Sequence, residues 1–86
     1  MRISRTERFK KSWDKLNGEE KALARKAIER LVTNMHYPSL RVKKIQATRD
    51  IWEATASRSW RITFQLIADE IVLRNIGKHD ETLENP

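Results

Sequence analysis

Apolar residues recur along this chain with two different periods, and the change falls at Pro38. Ahead of it, Phe9, Trp13 and Leu16 stand at i, i+4 and i+7, the stripe of an amphipathic helix. Lys10, Lys11, Asp14 and Lys15 fill the opposite side. A short lead-in strand at Arg2-Ile3-Ser4 precedes this helix, and Ser4 with Glu7 has the spacing of a capping box that opens it. Asn17-Gly18 ends it. Asn17 with Glu20 repeats the capping pattern, and two acids occupy the first turn, where the helix dipole favours them. Leu23, Ala27, Ile28, Leu31 and Met35 make the buried face of this second helix. Pro38 stops it and holds Tyr37 extended. The two helices are expected to form an antiparallel hairpin.

After Pro38 the period shortens to that of strands. Leu40 to Ile45 is a basic segment, a short strand or an ordered loop, and Gln46 to Asp50 reads as a turn. Three strands follow, over Ile51–Ala56, Trp60–Ile67 and Glu70–Ile76. Side chains alternate between faces along a strand, so the register decides which residues share a face. A three-residue loop at Ser57-Arg58-Ser59 opposes Ala56 to Trp60, Ala54 to Ile62 and Trp52 to Phe64, which gathers the apolar set on one side. A two-residue loop would oppose Glu53 to Phe64 and scramble the faces. Across Ala68-Asp69, Leu66 opposes Ile71 and Phe64 opposes Leu73, and the helices must cover that side. On the other face Thr55 opposes Arg61, Glu53 opposes Thr63, and Thr63 opposes Arg74. Glu53, Arg61 and Arg74 should therefore project together from a wet face, as antiparallel sheets allow.

Composition narrows the function. The chain has 86 residues, enough for a single domain spanning 1–86. It lacks cysteine, which removes disulfides and thiolate metal sites and suits a reducing cytoplasm. Its two histidines, His36 and His79, are too far apart in sequence to imply a zinc site. No metal and no small-molecule cofactor is expected. A net charge of +6 favours an anionic partner such as RNA, DNA or an acidic protein. Neither a secretory leader nor a membrane-spanning run is visible, so a cytoplasmic protein is expected.

Three stretches then resemble a known group: Ile51-Trp52-Glu53-Ala54, Trp60-Arg61-Ile62-Thr63-Phe64, and Val72-Leu73-Arg74-Asn75-Ile76-Gly77-Lys78-His79-Asp80. Their order, after two helices, is similar to that of the RelE/ParE toxin superfamily. The resemblance covers Leu40 to Leu83, with the helices matching in pattern only. It implies an α+β fold of order β-α-α-β-β-β, a helix hairpin on one face of an antiparallel sheet. It also implies the toxin of a type II toxin–antitoxin pair, which enters the ribosome and cuts mRNA without a metal, and which a cognate antitoxin neutralises.

Carried over by position, Arg61 matches the arginine that contacts the scissile phosphate, and His79 the basic or histidine position after the last strand. Lys43 and Lys44 lie where some members carry functional lysines and others a glutamate. Such cleavage needs a base for the 2′-OH, positive charge on the phosphorane and an acid for the leaving oxygen. Guanidinium suits the charge, histidine suits acid or base work, and Glu53 is either the base or the salt-bridge partner of Arg61. Arg61, His79 and Glu53 are thus the expected catalytic residues, with Arg41, Lys43, Lys44, Arg74 and Lys78 binding substrate. One position departs from the pattern. Leu83 stands where nucleases of the group carry Tyr or Phe, which removes base stacking. A gyrase inhibitor of the ParE kind, or a relative of the fold that only binds a partner, is the alternative.

Overall fold

The computed structural model describes residues 2–46 and 48–86. Strand β1 (Arg2–Arg5) leads into helix α1 (Glu7–Asp14) and helix α2 (Gly18–Thr33). A 3₁₀ turn at Pro38–Leu40 precedes the two-residue strand β2 (Lys43–Lys44). Strands β3 (Ile51–Thr55), β4 (Trp60–Ile67) and β5 (Glu70–Lys78) follow, and a short helix α3 (His79–Glu84) comes last. The five strands form one sheet in the order β1-β5-β4-β3-β2. The α+β architecture is the expected one, with two additions: β1 joins the edge parallel to β5, and α3 continues the chain beyond the sheet.

The helices start and stop where side chains satisfy the free ends of their backbones. Asn17 and Glu20 form the anticipated capping box, each side chain 2.8 Å from the other's backbone N–H. The cap of α1 is Thr6 rather than Ser4: Thr6 Oγ1 accepts from the Phe9 N–H at 3.1 Å. Ser4 lies inside β1, where its hydroxyl donates to Glu70 at 2.7 Å. Pairing of β1 with β5 holds the chain extended through Arg5, which delays the helix by two positions relative to the Ser4 spacing.

The core comprises Phe9, Leu16, Ala24, Ala27, Leu31 and Leu40 with Ala54, Ile62, Phe64, Ile71, Leu73 and Ile76. All three tryptophans pack partly buried against it. The face of α2 differs from the expectation at two points: Leu23 is exposed and Ala24 takes the core position, and the helix ends at Thr33, ahead of Pro38, so Met35 packs against the core from beyond it. Alanine lets α2 approach the sheet closely where a leucine would hold it off. The turn expected over Gln46 to Asp50 includes Ala47, which lies outside the described residues.

The β3–β4 register is the one argued from the side chains, with Trp52 opposite Phe64, Ala54 opposite Ile62 and Thr55 opposite Arg61. The β4–β5 register holds from Ile67 to Phe64 and then slips. Phe64 pairs with Leu73, but Thr63 pairs with Asn75, so Arg74 is the extra residue of a β-bulge. Thr63 therefore does not oppose Arg74. The bulge aims Asn75 at α1, where it accepts from the Ser12 hydroxyl at 2.6 Å and donates to the Asn85 carbonyl at 2.8 Å.

The second face of the sheet is not open. Thr63 is fully buried there, and its hydroxyl donates to a main-chain oxygen of Pro86 at 2.9 Å. Gly77 lies directly under Thr82 of α3. The chain after β5 thus turns back over this face and ties it to α1 through Asn75. No helix among the described residues is long and apolar enough to cross a membrane.

Candidate functional site

The β3–β4 hairpin is the organising element. Its loop residues Ser57, Arg58 and Ser59 sit between the Arg61 guanidinium and the start of α3. Arg61 Nη1 donates to the carbonyls of Ser57 at 3.0 Å, Arg58 at 3.3 Å and Trp60 at 3.0 Å. The Arg61 Nε lies 4.0 Å from Glu53 Oε1. From the neighbouring strand, Lys43 Nζ comes to 3.8 Å of the same oxygen. The Glu53 side chain is only 6% exposed, so this carboxylate is buried between two cations rather than standing on a wet surface. Burial of a carboxylate demands such pairing.

His79 opens α3 on the far side of the loop. Its backbone N–H donates to the Ser59 carbonyl at 2.9 Å. The imidazole remains half exposed, with Nδ1 3.0 Å from Asp80 Oδ1. Arg61 and Glu53 thus lie beside the hairpin loop, and His79 is joined to the same loop through its backbone. Arg74 is not part of that group. Its guanidinium is spent on the Gln65 side-chain oxygen at 2.8 Å and a Pro86 main-chain oxygen at 3.2 Å. The bulge separates it from the register that would have set it beside Arg61. Lys44 and Lys78 are exposed on β2 and at the end of β5. Leu83 lies half buried on α3, with its side chain partly withdrawn into the fold.

A cleft of about 640 Å³ opens beside the same loop, between α2 and the hairpin. Lys26, Arg30, Arg41, Arg58 and Arg61 line it, and no carboxylate does. Its floor is apolar, from Leu23, Ala27 and Leu40. Arg30 is held in place by stacking 4.5 Å over the Tyr37 ring and by donating to Ser39 at 3.2 Å. Of these cations, Arg41 and Arg61 were anticipated from the sequence, whereas Lys26, Arg30 and Arg58 were not. Lys26 and Arg30 lie one turn apart on α2 and Arg58 on the hairpin loop, and only the fold brings these elements together. A group of cations of which Arg61 is paired with Glu53, beside apolar surface, attracts a polyanion that also carries flat or apolar groups.

No family model and no curated protein matches the chain in sequence. Solved structures do match it in shape. The toxin YafQ from E. coli strain BL21(DE3) aligns at a TM-score of 0.80 with 15% identity, covering 95% of this chain and 98% of that one. The RelB-RelE antitoxin–toxin complex from Methanococcus jannaschii contains a chain that aligns at 0.75 with 18% identity, covering 96% and 99%. A YoeB/ParE toxin from Agrobacterium tumefaciens aligns at 0.79 with 7% identity, covering 92% and 99%. The chain has the fold of the RelE/ParE toxins, along nearly its whole length.

Proposed function

We propose that this chain is the toxin of a type II toxin–antitoxin pair and that it cuts mRNA on the ribosome in the cytoplasm. The observation that carries the reading is the cleft between α2 and the hairpin, lined by five cations and no carboxylate, beside the loop that also receives His79. An RNA backbone supplies the matching charge. The shared fold with toxins supports the same reading. In this arrangement His79 is the acid or base, since its imidazole is accessible. Arg41 and Arg58 in the cleft, Lys43 and Lys44 on the edge strand, and Lys78 next to His79 supply exposed positive charge. Glu53, paired with Lys43 and Arg61, acts as a buried counter-ion. The charge of the cleft also suits an antitoxin segment carrying acidic and apolar residues, which neutralises the toxin by masking it.

Induced expression of the chain alone in bacteria is the test. Arrest of protein synthesis, with new 5′ ends in translated mRNA by primer extension, is the expected outcome. Leu83, in place of a stacking aromatic, favours a second reading as a gyrase poison. That reading is established instead if growth stops through gyrase-linked DNA breaks while translated mRNA stays intact. Normal growth at confirmed soluble expression defeats both.

A further inference from the structure

We infer that Arg61 is a positioning residue, which sets His79 through the hairpin loop and does not bind the scissile phosphate itself. The inference rests on the proposed role of His79.

The carbonyls of the loop carry the argument. Four residues, Ala56 to Ser59, connect β3 to β4, and the carbonyls of the last three are engaged. Ser57 and Arg58 accept from Arg61, and Ser59 accepts from the backbone N–H of His79. The loop is thus gripped from inside by the guanidinium and carries the first residue of α3 on its outer side. Arg61 Nη1 is occupied by main-chain oxygens, and Nε faces the buried Glu53 carboxylate. The side chain is only 18% exposed. A guanidinium that clamps a phosphate needs two parallel N–H groups facing outward. Here Nη1 and Nε are both directed at protein groups, which leaves no adjacent pair of free nitrogens for a fork, and nearby Arg58 and Lys43 offer exposed charge instead.

The same contacts suit arginine and not lysine. A planar guanidinium reaches the two loop carbonyls from one nitrogen while another faces Glu53. An ammonium is a compact point charge and cannot do both at once. Replacement by lysine keeps the counter-charge for Glu53 and releases the loop. The Ser59 carbonyl then loses its fixed position, and with it the His79 backbone.

Amide hydrogen exchange and imidazole resonances of the ¹⁵N-labelled full chain, for wild type and Arg61→Lys, provide the test. The His79 amide should exchange about tenfold faster in the variant, as local opening demands. Its ring resonances should move, while the Leu73 amide within β5 keeps its protection. Affinity for an RNA oligonucleotide with a 2′-deoxy group at the cleavage position should stay within about twofold, because no phosphate contact is lost. In cleavage assays kcat should fall with KM unchanged.

An unchanged His79 amide and ring overturn the inference whatever RNA binding does. So does a loss of oligonucleotide affinity beyond about tenfold with a shallower salt slope, which marks a direct phosphate ligand. Should Arg61→Lys fold poorly, the pair Arg61→Gln with Glu53→Gln removes both charges and takes the same readings. The exchange measurement needs no activity. Absence of cleavage by the wild type would therefore sink the proposed function and leave this result standing.

Discussion

A Cβ placed on Gly77 would lie 2.7 Å from Thr82 Oγ1, closer than such atoms approach one another. Gly77 has an ordinary strand backbone, so its role is to admit α3 rather than to supply an unusual turn. Gly77→Ala should therefore push α3 off the sheet and destabilise the domain by about 1–3 kcal/mol, the usual cost of overpacking. Thr82→Ala removes the obstructing oxygen. The double variant should be more stable than the sum of the single changes, a coupling that urea denaturation of the four proteins measures directly. Additive losses would show that the close approach is not the cause.

Ala68 has φ of 53° at the first position of the two-residue β4–β5 turn. A side chain in that left-handed region costs about 1–2 kcal/mol, and glycine escapes the penalty while losing more entropy on folding. Ala68→Gly should raise stability by a few tenths to about 1 kcal/mol, read from the denaturant midpoint at unchanged slope. A fall in stability would mean that the backbone relaxes without cost.

The cleft predicts a graded electrostatic effect. Lys26 is exposed and has no part in the core, so Lys26→Ala should leave melting unchanged. If its ammonium meets an RNA phosphate, the slope of log affinity against log salt should shrink by about 0.7, the value for one contact on a single strand. Binding should weaken to a similar degree for unrelated RNA sequences. An unaltered slope would place the RNA elsewhere.

Several of these relationships were legible before the fold was known, and others were not. The β3–β4 register followed from alternation alone, because only one loop length keeps Trp52, Ala54 and Ala56 on the side of Phe64, Ile62 and Trp60. The bulge was written in the sequence but easy to pass over. Ile71 and Leu73 are two apart, whereas Leu73 and Ile76 are three apart, and that extra position is Arg74. Strict alternation therefore set Arg74 beside Arg61, and the slipped register places Asn75 opposite Thr63 instead. The start of α1 was misread because Ser4 and Glu7 have the spacing of a cap, while strand pairing, a tertiary effect, decides in favour of Thr6. Leu23 was assigned to the core for its hydrophobicity, but the closeness of α2 to the sheet selects Ala24. The cleft was invisible for a different reason: Lys26 and Arg30 stand one turn apart on α2, Arg41 follows the 3₁₀ turn and Arg58 lies on the hairpin loop, and no local pattern joins these elements. The cover over the second face escaped for the same reason, since Thr63, Gly77 and Thr82 give no hint in sequence that they touch.

His79 gives the most demanding prediction. Its backbone is fixed by Ser59, while its imidazole is half exposed with Nδ1 3.0 Å from Asp80 Oδ1. Truncation therefore removes chemistry without opening the core, and His79→Ala should melt like the wild type. Loss of a general acid or base lowers the cleavage rate by about two to four decades. His79→Gln keeps a hydrogen-bonding side chain but cannot exchange a proton near neutral pH, so it should be as inactive as His79→Ala. Asp80→Asn tests the neighbouring contact. The carboxylate is 96% exposed, and an exposed pair contributes little, so this change should alter the rate far less than loss of the imidazole. Rates for the three variants on translated mRNA, with melting curves beside them, decide the matter. Near-normal cleavage by both His79 variants would remove the histidine from the site. Activity retained by His79→Gln alone would make its role one of hydrogen bonding, with proton transfer left to another group.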